Sequence, residues 1–288
     1  MRRFELIEPK SLAEACSLLA ENADAKVVAG GTALLTIIKQ GLLLPKTLVN
    51  LKKIHDASEI GFDPQTGLRI GALATINDIE TSPLVREHYP AFAEVCHVVA
   101  NIRIRNMATI GGNLAHGDYQ SDPPTVLAAL DARIELIGQR GIRILNFSDF
   151  QRGSYETALA PGELVSGILI PPPTGMRGLY IKFTTGSSEE RPCAGIAAFA
   201  RMENGTCQEL RLAVGAVSAK PLRITTGEAM ARHHALTGEA IARIAAEAAR
   251  VVDPIDDVRG PADYKRHLVG VLVRRAVTAV AAGKVEQT

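Results

Sequence analysis

Apolar and polar positions recur along this chain with two alternating periods, and the changes of period predict its elements. Leu12, Ala15, Cys16, Leu18 and Leu19 repeat at helical spacing behind Ser11, which forms a capping-box pattern with Glu14. Residues 25–29 predict a short strand that breaks at Gly30-Gly31. Thr32 then predicts the cap of a second helix, running through Thr36 to Gln40 and stopped by Gly41. Residues 48–51 predict another strand. This order of helix, strand, helix, strand predicts a small α/β unit with parallel strands.

From Glu59 the period shortens to two. Residues 60–62 and 68–71 alternate as strands around the turn at 63–67, and a helix is predicted from Pro90 to about Asn101. After the segment 108–113 comes a short helix at 123–130, capped by Asp122. Residues 133–137 and 142–145 then predict a hairpin, and 164–170 a strand ending at Pro171-Pro172-Pro173, a unit boundary. The last third predicts strands at 178–184, 195–201 and 209–216. Helices follow at 228–236, 238–252 (capped by Thr237) and 262–282. Strands followed by helices read as an α+β layer.

Composition narrows the function classes. With 32 basic and 31 acidic side chains, the formal net charge of +1 supplies no field for nucleic acid or an anionic membrane. The absence of Trp, with 4% aromatics overall, gives no base-stacking surface. Cys16, Cys96, Cys193 and Cys207 lie far apart without a CxxC pair, so reduced, mostly buried thiols are expected, and no zinc or iron–sulfur site. Neither a signal peptide nor a run of about 18 apolar residues is present, which predicts a cytoplasmic protein without a membrane span.

Two segments carry candidate chemistry: Val27-Val28-Ala29-Gly30-Gly31-Thr32 and Ala108-Thr109-Ile110-Gly111-Gly112-Asn113. Glycine reaches φ > 0 and lets backbone approach a ligand, so successive N–H groups can point into one concavity. A helix N-terminus adds roughly half a positive charge, which suits phosphate oxygens. Thr32, Thr109 and Asn113 can add side-chain hydrogen bonds. Each segment alone also reads as an ordinary tight turn, and neither is a Rossmann or P-loop pattern. His233-His234 is expected to be surface or core rather than a ligand pair. Arg103, Arg105 and Asn106 are open between phosphate binding, partner docking and a solvated helix end. No catalytic or metal-ligating set is found.

Taken together, Ala29-Gly30-Gly31-Thr32 with Leu34-Leu35, and Thr109-Ile110-Gly111-Gly112-Asn113-Leu114, resemble the paired double-glycine signatures of one family. This is the FAD-binding medium subunit of the xanthine dehydrogenase and carbon monoxide dehydrogenase (molybdenum hydroxylase) family. His116-Gly117-Asp118 and Ser121-Asp122-Pro123-Pro124 continue the second signature, and the resemblance covers nearly the whole chain. It implies an α+β fold of the PCMH/CO dehydrogenase flavoprotein type. A two-part FAD-binding domain (a small α/β unit, 1–56, and a larger α+β unit, 57–173) would precede a C-terminal α+β domain, 174–288, with a small antiparallel sheet and helices.

The resemblance also implies FAD contacts. Lys26, Val27, Val28, Ala29, Gly30, Gly31, Thr32, Ala33 and Leu34 would line the adenine and diphosphate side. Ala108, Thr109, Gly112, Asn113 and Ala115 would form the opposing wall. Asp122, Val165 and Lys182 would lie at the flavin end, although Asp122 also reads as a plain N-cap and Lys182 as a solvated strand lysine. The stretch Gly186–Pro192 departs from the family's usual Arg-Arg pattern, which leaves its flavin contacts and the electron acceptor open. Implied partners are a small subunit with two [2Fe–2S] clusters and a large subunit with the molybdenum cofactor, as a dimer of heterotrimers. Electrons would pass from the clusters through FAD to an outside acceptor. Two other readings stay open: a free-standing FAD-dependent oxidoreductase with its own substrate pocket, and a structural subunit that has lost its flavin.

Overall fold

The computed structural model of the chain describes residues 3–284. Its first elements are β1 (Glu5–Ile7), α1 (Leu12–Glu21), β2 (Ala25–Val28), α2 (Leu34–Lys39), β3 (Thr47–Asn50), β4 (Ile60–Asp63) and β5 (Gly67–Gly71). Then come α3 (Ile76–Thr81), α4 (Pro83–His88), α5 (Pro90–His97), α6 (Ile102–Arg105), α7 (Ile110–His116) and α8 (Pro123–Ala129). The middle holds β6 (Arg133–Gly138), β7 (Gly141–Asn146), α9 (Phe147–Phe150), β8 (Gln151–Gly153), β9 (Glu156–Thr157) and β10 (Leu164–Ile170). Last are β11 (Arg177–Phe183), β12 (Ala194–Glu203), β13 (Thr206–Gly215), β14 (Leu222–Arg223), α10 (Thr225–Ala231), α11 (Gly238–Val251) and α12 (Ala262–Ala281).

These elements gather into two compact units that alternate along the sequence. The first takes the chain up to Leu84, together with Asn101–Asp118 and Ala132–Pro172. The second takes Val85–Ala100, Tyr119–Asp131 and the chain from Pro173 onward.

In the first unit a parallel sheet of order β1-β3-β2 packs against α1, burying Ala15, Cys16, Ala25, Val49 and Leu51. The sequence predicts β2 and β3, while the three-residue β1 is too short to leave a periodic signal. Ser11 caps α1 as expected, accepting from the Glu14 amide at 3.1 Å, but Glu14 reaches back to the Lys10 amide rather than to Ser11. The second sheet is antiparallel, of order β4-β5-β10-β6-β7, and contains the predicted hairpin as β6 and β7. The pattern gave no helix for α3, α4, α6, α7 or α9; in front of α3, Thr75 and Asp78 close a reciprocal capping box.

The second unit is built on an antiparallel sheet of order β11-β12-β13-β14. Ile196, Ala198 and Ala200 of β12 face a core that includes Ile244, Ala248, Leu272, Val273 and Val277 from α11 and α12. The intervening Gly195, Ala197 and Phe199 are buried too, so both faces of β12 are covered. Helix α8 packs on β12 and β13, and α5 packs on α8 and β11. Every residue of α8 is buried. Thr237 caps α11 as predicted, accepting from the Ala240 amide at 3.2 Å.

Two predicted helices are shorter than their patterns. Helix α5 ends at His97 rather than near Asn101, and α10 ends at Ala231. His233 therefore lies outside any helix, at φ +61°, and the His234 segment bridges to Cys207 instead. All four cysteines are buried and outside any disulfide. Among the described residues no helix is long and apolar enough to cross a membrane.

Candidate cofactor site

The first glycine segment leaves β2 at Val28 and enters α2 at Leu34. Gly31 sits at φ +73°, a conformation that costs a side-chain-bearing residue roughly 1 kcal/mol or more. Gly30 makes the closer approach. A Cβ on it would fall 1.9 Å from the Met107 carbonyl oxygen and 2.9 Å from Ala108 Cα, so its backbone lies directly against the second segment. The structure thus brings the two glycine segments together, 77 positions apart if Gly30 is counted to Met107. The amides of Gly30, Gly31, Thr32 and Ala33 donate to no protein acceptor among the described residues. Four consecutive donors at a partly exposed turn form the kind of concavity that holds an anion.

Two details differ from the sequence reading. Thr32 does not cap α2: the helix begins after Ala33 with no side-chain cap, and the Thr32 carbonyl instead accepts from the Thr36 hydroxyl at 3.1 Å. With only six residues, α2 also adds little dipole, so the donors themselves carry the attraction for phosphate.

The second segment is not an open turn. Thr109 caps α7, accepting from the Gly112 amide at 3.2 Å, while the Ile110 and Gly111 amides donate to Ala74 and Ala72 carbonyls at 3.0 and 2.8 Å. The Asn113 amide donates back to the Thr109 carbonyl at 2.9 Å. The amides of residues 110–113 are therefore already committed, contrary to the expectation that both bends offer free amides. What this segment offers instead is a surface. Gly112 and Ala115 are exposed three residues apart on one face of α7, so backbone and a single methyl are all that stand there. Gly111 has a different task, since a Cβ on it would meet the Ala72 Cβ at 2.5 Å. Lys26 is exposed, Val27, Val28, Ala29 and Leu34 are half-buried, and Val165 is buried in β10 beside a bulge against β6.

In the second unit, Asp122 and Lys182 meet in a buried cluster. Asp122 precedes α8 without capping it; its backbone is already helical, and its carboxylate points elsewhere. One carboxylate oxygen accepts from the Tyr180 hydroxyl at 2.9 Å and the other from Lys182 Nζ at 3.2 Å. Lys182 Nζ also donates to the Val98 carbonyl at 2.7 Å, at the C-terminal end of α5, where a cation is favoured. Lys182 and Asp122 side chains are only 8% and 6% exposed, so Lys182 is not a solvated strand lysine. Burial first, and then the adjacent Asp122 charge, push the Tyr180 phenol well above its ordinary pKa, so it stays protonated and donates. Sequence reasoning missed Tyr180. The available signal was its i, i+2 spacing from Lys182, which puts both side chains on one face of β11.

The remaining candidates take structural places. Arg105 is buried in an ion pair with Glu80, Nε to Oε2 2.8 Å. His233 Nδ1 lies 3.3 Å from the Gln208 side-chain oxygen. The loop 186–192 is tied at its end, where the Arg191 carbonyl accepts from Arg259 Nε at 3.3 Å. No group of three or more His, Cys, Asp or Glu side chains arranged to hold a metal occurs among the described residues.

Residues 2–173 match the family model for the FAD binding domain in molybdopterin dehydrogenase, and residues 187–280 match that for the CO dehydrogenase flavoprotein C-terminal domain. The chain belongs to the FAD-binding medium subunits of the molybdenum hydroxylase family. Its sequence is 36% identical over 276 residues to the carbon monoxide dehydrogenase medium chain of Afipia carboxidovorans, spanning 95% of each chain. The fold superposes on a chain of carbon monoxide dehydrogenase from Hydrogenophaga pseudoflava with a TM-score of 0.94, at 35% identity and 98% coverage of both chains. A chain of quinoline 2-oxidoreductase from Pseudomonas putida 86 matches with a TM-score of 0.94 at 28% identity, covering 99% of each. The chain is thus a flavoprotein subunit of the kind found in multi-subunit oxidoreductases, and its α+β fold is that of these medium chains. The free amides at Gly30–Ala33 and the backbone-only face at Gly112 fit the diphosphate of FAD.

Proposed function

We propose that this medium subunit binds FAD as the exit of an electron relay, fed by the [2Fe–2S] clusters of a small partner subunit. The substrate would be oxidised on a large molybdenum subunit, and a dimer of such heterotrimers would work in the cytoplasm. The observation that supports this reading best is the row of uncommitted amides packed against the second glycine segment, in a chain without a metal-ligand set among its described residues. Bound FAD supplies the redox chemistry, taking up electrons one at a time and releasing them in pairs.

The protein's share is holding and tuning. Amides of Gly30, Gly31, Thr32 and Ala33 neutralise diphosphate oxygens, with Lys26–Val28, Ala29 and Leu34 flanking them. Ala108, Thr109, Gly112, Asn113 and Ala115 form the facing wall, and Val165 excludes water from the ring. By the same resemblance, Asp122 and Lys182 would supply a carboxylate and a cation for the flavin's polar edge. We further propose the three-part division at residues 1–56, 57–173 and 174–288 for how the sequence is organised around these contacts.

Gly112→Val tests the site. Gly112 is exposed and a Cβ there meets only the Thr109 hydroxyl, at 2.8 Å, so the fold should survive while a branched side chain blocks the wall. The purified variant is expected to retain about a tenth of wild-type flavin or less, the effect of about 1.4 kcal/mol. Its circular dichroism should match wild type. Full flavin occupancy in Gly112→Val removes this wall from the site. The relay is tested separately: chain co-expressed with its genomic neighbours should show flavin bleaching when the complex meets substrate. An isolated chain that oxidises an organic substrate by itself would replace the relay with a self-contained oxidoreductase.

A further inference from the structure

We propose that Tyr180 is a positioning residue that sets the charge balance of the Lys182–Asp122 pair, and through it the reduction potential of the flavin. The proposal rests on the reading that Asp122 and Lys182 contact the flavin.

The geometry of one strand carries it. Tyr180 and Lys182 stand on the same face of β11, paired across the ladder with Ala197 and Gly195. Both reach the same carboxylate, one on each oxygen. Gly195 keeps the route open, because a Cβ there would fall 2.2 Å from the Tyr180 hydroxyl oxygen. With a small neighbour beside it, that hydroxyl of the half-buried tyrosine has a single partner among the described residues, Asp122 Oδ1. Lys182 has three N–H donors. Two go to the Val98 carbonyl and Asp122, and the third has no protein acceptor among the described residues. It is available to a ligand.

The consequence is electrostatic. An isolated lysine–aspartate pair is neutral and presents a weak field. The phenol's hydrogen bond draws negative charge from Asp122, so Asp122 compensates the ammonium less completely and more positive potential remains at the third N–H. A positive potential beside a flavin favours its reduced, negatively charged form. Tyr180 thus acts on the cofactor through two other side chains without touching it.

Four variants of the flavin-loaded full chain test this, with midpoint potential as readout and thermal melts as a check on folding. Tyr180→Phe keeps the ring and removes only the hydroxyl; the potential should fall. Gly195→Ala keeps the tyrosine but displaces its hydroxyl, and should shift the potential the same way. Lys182→Met should lower it further, and Asp122→Asn should raise it. A purely structural role for Tyr180 would move the melts without this ordering. If Tyr180→Phe and Gly195→Ala match wild type, or rise, while the Lys182 and Asp122 variants shift, Tyr180 merely fills space and the proposal is overturned. If none of the four shifts the potential, the placement of Asp122 and Lys182 at the flavin has failed, and the proposal falls with it.

Discussion

Gly30→Ala is expected to yield a folded chain that purifies almost free of FAD. The added methyl would meet main chain only: Met107 oxygen at 1.9 Å, Met107 carbonyl carbon at 2.7 Å and Ala108 Cα at 2.9 Å. No side-chain rotation relieves such a contact, so the two glycine segments must move apart. Overpacking of this kind costs about 1–3 kcal/mol. That strain falls on the segment whose amides are left for the cofactor, so FAD affinity should drop by about tenfold to a hundredfold. Gly31→Ala should be milder. Its strain comes from φ +73°, and its nearest contact, at 3.0 Å, is the end of the Leu35 side chain, which can yield. Flavin absorbance per chain measures both variants, and circular dichroism separates cofactor loss from unfolding. Equal FAD retention by Gly30→Ala and wild type would mean that the segments' contact has no part in binding.

Lys265→Met should be the most destabilising single change outside the cofactor site. Lys265 is a helix residue only 1% exposed, and its ammonium binds Asp257 Oδ1 at 2.7 Å and the Ile255 carbonyl at 2.8 Å. Asp257 in turn accepts from the Arg259 amide at 2.8 Å, and Arg259 reaches the Gln120 side chain at 3.3 Å. Methionine fills the space but leaves the carboxylate without its cation. Because Asp257 keeps the Arg259 amide and is partly exposed, the cost should sit at or below the low end of the about 3–5 kcal/mol for breaking a buried pair from one side. Thermal unfolding should shift down by on the order of 10 °C. Lys265→Met/Asp257→Asn should recover part of the loss, because the stranded charge is gone.

The pH dependence follows from Asp257. Burial pushes its pKa up, but the Lys265 hydrogen bond and charge, with the Arg259 amide and charge, outweigh this and leave it below its usual 3.8. A depressed carboxylate stabilises above its unfolded pKa and loses that contribution as pH falls through the folded value. The gap between wild type and Lys265→Met should therefore be full near neutrality and close only in strong acid, below about pH 4. A gap that stays open well into strong acid, with Asp257 protonated, would assign the loss to packing rather than charge.

Local pattern was enough for much of the fold. The apolar runs at Val27-Val28 and Leu48-Val49 announced the parallel strands, and Thr237 announced the start of α11. Glycine pairs marked the cofactor segments because close backbone approach leaves a direct trace in sequence. What stayed hidden depends on distant partners. That the Gly111 amide is already taken follows from Ala72, 39 positions earlier, and no pattern around Gly111 records it. Asp122 before two prolines looks like a cap, and only the position of β11 turns its carboxylate toward Tyr180 and Lys182. Arg105, open in the sequence between phosphate binding, partner docking and a solvated helix end, is instead paired with Glu80, 25 positions earlier.

Helices α5 and α8 lie early in the chain but find their seats on β11, β12 and β13, which are made later. A ribosome releasing this polypeptide must therefore hold out the mostly apolar α8 for on the order of ten seconds before residues 194–215 emerge to cover it. A gene cut after the proline run at 171–173 would leave α8 permanently uncovered. Truncation within the last third would therefore strip the cover from a helix made much earlier.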